Sequence, residues 1–195
     1  TKLSFDIHML YQVLNLKFAG KKTIENKVSN LPADKLFHKE KNKKNVLNNN
    51  KKKKILIAAH HFSDAPNGYG KFLFNDFYDW VDFLGKKSIN SKYDWYIKFH
   101  PMEFEENNKK INYFQKKYKN INLIKKNVSH SDLINSGIDL VLTVYGTIAL
   151  EYAYFKIPVI NASPLNPHCA YNFNYHAKSI SDYNFAIDNF DKIKI

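Results

Sequence analysis

Residues 137–162, reading GIDLVLTVYGTIALEYAYFKIPVINA, constrain this chain more than any other stretch. Ile138 to Val144 is a short apolar run, too short and too rich in Val, Ile and Thr to favour a helix, and it reads as a buried strand. Gly146 breaks the run and Thr147 stands where a helix cap belongs. Ile148, Leu150, Tyr152, Ala153 and Phe155 then suit a helix buried over much of its surface. After Pro158, a second apolar run at Val159–Ile160 opens another strand. The unit is strand, turn, helix, strand, about the size of a βαβ. Its helix N-terminus aims free N–H groups at the C-terminal edge of a parallel sheet, where anionic ligands, phosphates above all, are held.

The remaining elements follow the same alternation. Residues 3–19 place apolar residues at mixed spacings before Gly20 and read as one helix. The segment 30–54 is dominated by Lys and Asn and reads as a linker. Ile55–Ala59 is the first buried strand, followed by a polar loop from His60 to Gly70 and by an amphipathic helix expected over Lys71–Leu84. Tyr93–Phe99 is the next strand, closed by His100-Pro101. A helix over Glu105–Tyr118, a strand over Ile121–Ile124 and a short helix over Ser131–Ser136 complete the lead-in to the central unit. Asn161 to Ser179 reads as a long polar and aromatic loop containing Pro164, Pro167, His168, Tyr171 and His176, and Ser181–Phe190 as a final helix. Strands alternating with helices at this spacing predict an α/β fold, a Rossmann-like parallel sheet with helices on both faces. The expected organisation is an N-terminal helical segment at 1–29, a linker at 30–54 and the α/β domain at 55–195.

The net charge of +12 suggests a polyanion partner until it is located. Residues 1–54 hold 14 Lys against four acids, whereas residues 55–195 hold 16 Lys against 14, so the body is nearly neutral. Every basic residue is Lys. The bidentate phosphate and base reader, Arg, is missing, so a phosphate contact must use Lys, His, hydroxyls or backbone N–H, and no nucleic-acid partner is expected. A basic patch on a membrane surface or nucleic acid is the other reading of the Lys/Asn run, though no aromatic residues interleave with it. The single Cys169 excludes an internal disulfide and a Cys-based zinc site. No stretch approaches a membrane span of about 20 apolar residues and no signal peptide opens the sequence, which together make a cytoplasmic location the expectation.

Three polar clusters fall just after expected strands: His60 to Asp64, Lys98 to Pro101, and Tyr145 to Glu151. Each has a plain structural reading. The histidines can be local hydrogen-bonders, Lys98 an outward-facing strand lysine, and Thr147 a helix cap. Glu151 lies four residues after Thr147, on the same helical face, where the helix dipole favours an acid in any case. Its placement among apolar neighbours also suits a carboxylate that grips a ribose hydroxyl pair. No H-x-x-x-H or H-x-x-E-H spacing marks a metal site, and none is expected. G-x-S-x-G, G-x-G-x-x-G and P-loop patterns are absent, which argues against a serine hydrolase, a dinucleotide oxidoreductase and an NTPase.

Lys98-Phe99-His100-Pro101, standing in for K-P-H-P, followed some forty residues later by LVLTVYGTIALEYAYFKIPVI, resembles the C-terminal nucleotide-binding domain of bacterial capsule and surface-polysaccharide glycosyltransferases of the GT-B fold. The AHHFSDAP loop with FLFNDFYDWVDFL behind it is similar to the same group, and the resemblance covers residues 52–190. It implies a donor site in which Lys98, His100, Pro101, Gly146 and Thr147 meet the nucleotide and its phosphate and Glu151 holds the ribose. It further places His61 and Asp64 beside the cleft where donor and acceptor meet, with Asp64 as a catalytic base. The implied reaction moves a sugar from a nucleotide donor, CMP-linked or otherwise, to a growing glycan, without a metal or other cofactor. The implied partners are the nucleotide-sugar, a glycan acceptor, a second Rossmann-like domain missing from this chain, and the cytoplasmic face of the inner membrane as a peripheral contact. Phe99 departs from the usual Pro of the motif. The alternatives are a polyol-phosphate transferase with a CDP-linked donor and a non-catalytic nucleotide-binding module with a basic membrane tether.

Overall fold

The computed structural model describes residues 45–62, 68, 70–100, 105–166 and 168–192. The N-terminal helical segment and most of the linker lie outside the described residues. Residues 43–128 and 132–195 group into one unit. It is built on a six-stranded sheet of β1 (Lys54–Ala58), β2 (Asp94–Lys98), β3 (Ile121–Leu123), β4 (Leu140–Thr143), β5 (Val159–Asn161) and β6 (Tyr175–His176). The strands run in the order β3-β2-β1-β4-β5-β6, and every pairing is parallel. This is an α/β, Rossmann-like fold, as the alternation of elements predicts.

Because side chains alternate along a strand, each strand feeds two cores. Ile55, Ile57, Trp95, Ile97, Leu140, Leu142 and Ile160 point to one face. There they meet Phe77, Trp80 and Leu84 of α1 (Phe77–Ser88), Phe114 of α2 (Glu105–Lys117), and Tyr183 and Ile187 of α5 (Ile180–Asp188). Leu56, Tyr96, Val141 and Val159 point to the other, against Leu133 of α3 (His130–Asn135) and Ala149 and Tyr152 of α4 (Ile148–Tyr154).

Local chemistry sets the boundaries. The helix expected from Lys71 starts only at Phe77, because Asp76 takes an extended conformation and its carboxylate accepts the Asp79 N–H at 2.7 Å. Phe72 is buried from the loop instead. That loop is tied to the end of β5 by the Ser163 hydroxyl, which donates to the Lys71 carbonyl at 2.7 Å, and by the Leu73 N–H, which donates to the Ala162 carbonyl at 3.3 Å. The stretch expected as a long polar and aromatic loop over Asn161–Ser179 contains β6, in register as Ile160↔Tyr175 and Asn161↔His176. The end of the expected linker lies along the domain: Leu47 is buried on the α4 side, and the Asn48 N–H donates to the Tyr96 hydroxyl at 3.0 Å.

Candidate functional site

β1 pairs with β2 on one side and β4 on the other, so the chain reverses its direction of winding at β1. In such sheets the loops leaving the C-terminal ends of these two strands diverge and leave a crevice for a ligand. The residues that follow β1, β2 and β4 here are His60 and His61, His100, and Tyr145 to Thr147.

The His60 ring stacks on Phe77, with centroids 4.7 Å apart and planes 13° off parallel, and lies 4.9 Å from the Tyr145 ring. Its Nε2 is 3.4 Å from the Thr143 hydroxyl, and its Cε1 would sit 3.5 Å from a Cβ built on Gly146. The β1 and β4 loops are therefore in direct contact. His61, nearly fully buried, packs its ring edge-on to His100 with centroids 6.4 Å apart, and its Nε2 is hydrogen-bonded to the Asn107 amide in the first turn of α2. Asn107 itself is buried, and its Oδ1 has no hydrogen-bond partner. It was not among the residues expected from sequence: one of three Asn in a lysine-rich helix gives no signal until the first turn of that helix is known to meet the loop after β1.

Of the expected site residues, His61 packs against His100, and the Gly146 turn is met by His60. Asp64 and Pro101 lie outside the described residues. Lys98 is not the outward-facing strand lysine of the plain reading. It is buried on the α4 side, its ammonium donates to the Lys126 carbonyl at 3.1 Å, and burial lowers its pKa. Thr147 is exposed and does not cap α4 with its side chain, because its φ of −57° and ψ of −20° are already helical rather than extended. The Gly146 and Thr147 carbonyls accept from Ala149 and Leu150 instead, so the chain turns helical one residue early.

Glu151 takes the opposite environment from Thr147. Its Oε2 is shielded from solvent with no hydrogen-bond partner, and burial raises its pKa to about 7. A carboxyl in that state exchanges its proton near neutral pH and can both donate and accept.

A second polar group lines the C-terminal rim at β5 and β6. Thr143, Asn161 and His176 share a register level across β4, β5 and β6, which puts their side chains on one face. The Asn166 amide donates to His176 Nδ1 at 2.7 Å while its Oδ1 accepts the His168 N–H at 3.0 Å, so the amide orientation is fixed by the backbone and Nδ1 must accept. Burial, with His176 adjacent, holds the His168 pKa down to about 4, and burial also lowers that of His176, opposed by the Tyr171 carbonyl. Both rings are thus neutral at pH 7. Among the described residues no group of three or more His, Cys, Asp or Glu is placed to hold a metal ion. A cleft of about 410 Å³ lined by residues including Asn90, Tyr93 and Trp95 lies at the opposite, strand-beginning edge, away from all of these groups.

No protein-family model matches the chain, and neither a curated protein nor a solved structure is similar enough to match it.

Proposed function

We propose that residues 55–195 are the donor-binding part of a glycosyltransferase that moves a sugar from a nucleotide-sugar to a growing capsule or surface glycan. The observation that carries this reading is the meeting of His61 and His100, edge-on at 6.4 Å, with His60 seated against the Gly146 turn where β1 separates β2 from β4. That is the place where an open parallel sheet receives a nucleotide. The resemblance around Lys98 to Pro101 and Gly146 to Glu151 supplies the substrate class.

In this account the His100 imidazole and the exposed Thr147 hydroxyl contact the donor's phosphate. His61 is kept in one orientation by Asn107 and holds its ring edge-on against His100 beside the leaving group. Preorganised donors at the phosphate stabilise the charge that builds on its oxygen as the sugar–oxygen bond breaks. Asp64 accepts the proton of the acceptor hydroxyl. Glu151 takes the ribose hydroxyls, and because its pKa lies near 7, ribose donation to its ionised form releases protons on binding around neutral pH. Lys98 contributes through the backbone it anchors at Lys126. The enzyme needs no metal in this scheme, works in the cytoplasm, and depends on a second Rossmann-like domain for its acceptor.

Calorimetric titration with CMP, CDP, UMP and UDP tests the reading. One of the four binds in the micromolar range, and His100→Ala and Thr147→Ala each weaken it by about tenfold, near 1.4 kcal/mol. Binding of none, or binding indifferent to both substitutions, removes the nucleotide site.

A further inference from the structure

The described residues carry nineteen lysines and twelve acidic side chains. Strand direction decides where the surplus lies. With all six strands parallel, the segments leading into them share one edge of the sheet, and the C-terminal turns of α1 and α2 return to it. Lys51 to Lys54 lead into β1, Lys92 into β2, Lys119 into β3 and Lys156 into β5. Lys86, Lys87, Lys116 and Lys117 end the two helices and Lys192 follows α5. These twelve lysines share the edge with five aspartates, Asp82, Asp94, Asp139, Asp188 and Asp191, and the remaining seven lysines and seven acids cancel. Among the described residues, the positive surplus therefore sits at the edge opposite the candidate site.

The aspartates do not quench it. Lys52, Lys53, Lys86, Lys87 and Lys117 pair with Asp94, Asp191, Asp82, Asp188 and Asp82 in turn. Lys51, Lys92, Lys116, Lys119, Lys156 and Lys192 are all exposed and make no ion pair with a described residue. Large apolar side chains stand among them: Ile89 is 51% exposed at the turn into β2, and Tyr154 and Phe155 are 61% and 47% exposed beside Lys156 at the end of α4. Exposed aromatic and aliphatic residues set between point-charge lysines fit the headgroup region of a bilayer, where amphipathic rings settle and lysines meet lipid phosphates. A nucleic acid would favour Arg forks for its phosphates, and the chain has no Arg.

We propose that the strand-beginning edge of the domain, centred on Lys92, Lys119 and Lys156 with Ile89 and Phe155, is a docking surface for an anionic lipid bilayer, which leaves the C-terminal rim facing away from the membrane. The proposal stands independently of which ligand the rim takes. It also assigns the contact to the folded body rather than to the Lys/Asn run before residue 45.

Flotation of the full chain with phosphatidylcholine vesicles containing about 30 mol% phosphatidylglycerol tests it, against vesicles of phosphatidylcholine alone. The anionic vesicles carry the protein, the neutral ones do not, and salt of about 0.5 M releases it. Lys92→Glu/Lys119→Glu/Lys156→Glu lowers partitioning by roughly tenfold or more, and Phe155→Ser lowers it at unchanged charge. Replacing Lys39, Lys41, Lys43 and Lys44 by Gln leaves most of it in place. Circular dichroism confirms that each variant is folded. Three outcomes overturn the proposal: no binding to anionic vesicles, binding that survives the triple substitution but is lost with the four upstream lysines, or displacement from vesicles by a short RNA that holds the protein more tightly.

Discussion

The Tyr118 ring occupies the space a side chain on Gly85 would need: a Cβ built on Gly85 would lie 2.4 Å from Tyr118 Cε2. Gly85 is buried in α1, and Tyr118 directly follows α2, so the two helices approach at this point through a missing side chain. The ring has little freedom to move aside, since its hydroxyl donates to Asp82 at 2.7 Å. Gly85→Ala gains helix propensity of about 1 kcal/mol and still destabilises the domain, because overpacking costs about 1–3 kcal/mol and comes with displacement of Tyr118 from Asp82. A lower melting temperature for Gly85→Ala, recovered in part by Tyr118→Leu, is the expected result.

Asp82 shapes the acid limb of stability. Burial alone would raise its pKa, but hydrogen bonds from Lys117, Lys86 and Tyr118 win and lower it to about 2. A carboxylate whose pKa is depressed in the folded state contributes stability that is present above the unfolded value near 4 and lost as pH falls toward 2. The shift bounds that contribution at roughly 2 kcal/mol. Urea unfolding of Asp82→Asn is expected to be weaker than wild type at pH 7, with the gap closing below pH 3.

Glu151 works in the other direction. With its folded pKa raised to about 7, the native state holds a proton that the unfolded chain gives up near pH 4.5, so stability falls as pH rises between those values. Glu151→Gln removes this penalty. Its melting temperature matches wild type at pH 4.5 and exceeds it at pH 8, by the equivalent of up to about 3 kcal/mol. The same substitution weakens nucleotide binding, as expected where a site residue is held at a cost to stability.

Much of the frame was legible in the sequence because short apolar runs such as Ile55–Ala58 and Leu140–Thr143, bounded by turn signals and alternating with helical stretches, match strands buried on both faces of a parallel sheet. The expected start of α1 was six residues early, since Phe72 and Phe74 fit a helical stripe yet pack from a loop that Asp76 terminates. β6 was illegible: two half-buried residues, Tyr175 and His176, have no period of their own and form a strand only because β5 offers an edge. Within the candidate site, His61 and His100 could be placed from their positions after strands. Asn107, Asn161, Asn166 and the neutral pair of His168 and His176 could not, because each depends on an element distant in sequence. The charge polarity was equally hidden, since lysines spread from 51 to 192 converge only once strand direction is known.

The most direct measurement of the central claim locates the ligand on the fold. Backbone and histidine-ring resonances, assigned and followed while the tightest of the four nucleotides is added, report which edge of the sheet it meets. The account predicts shifts at His60, His61, His100, Asn107, Gly146 and Thr147, with little change at Asn90 and Tyr93. Shifts gathered instead around Asn90, Tyr93 and Trp95 would place the ligand in the cleft at the opposite edge and contradict it.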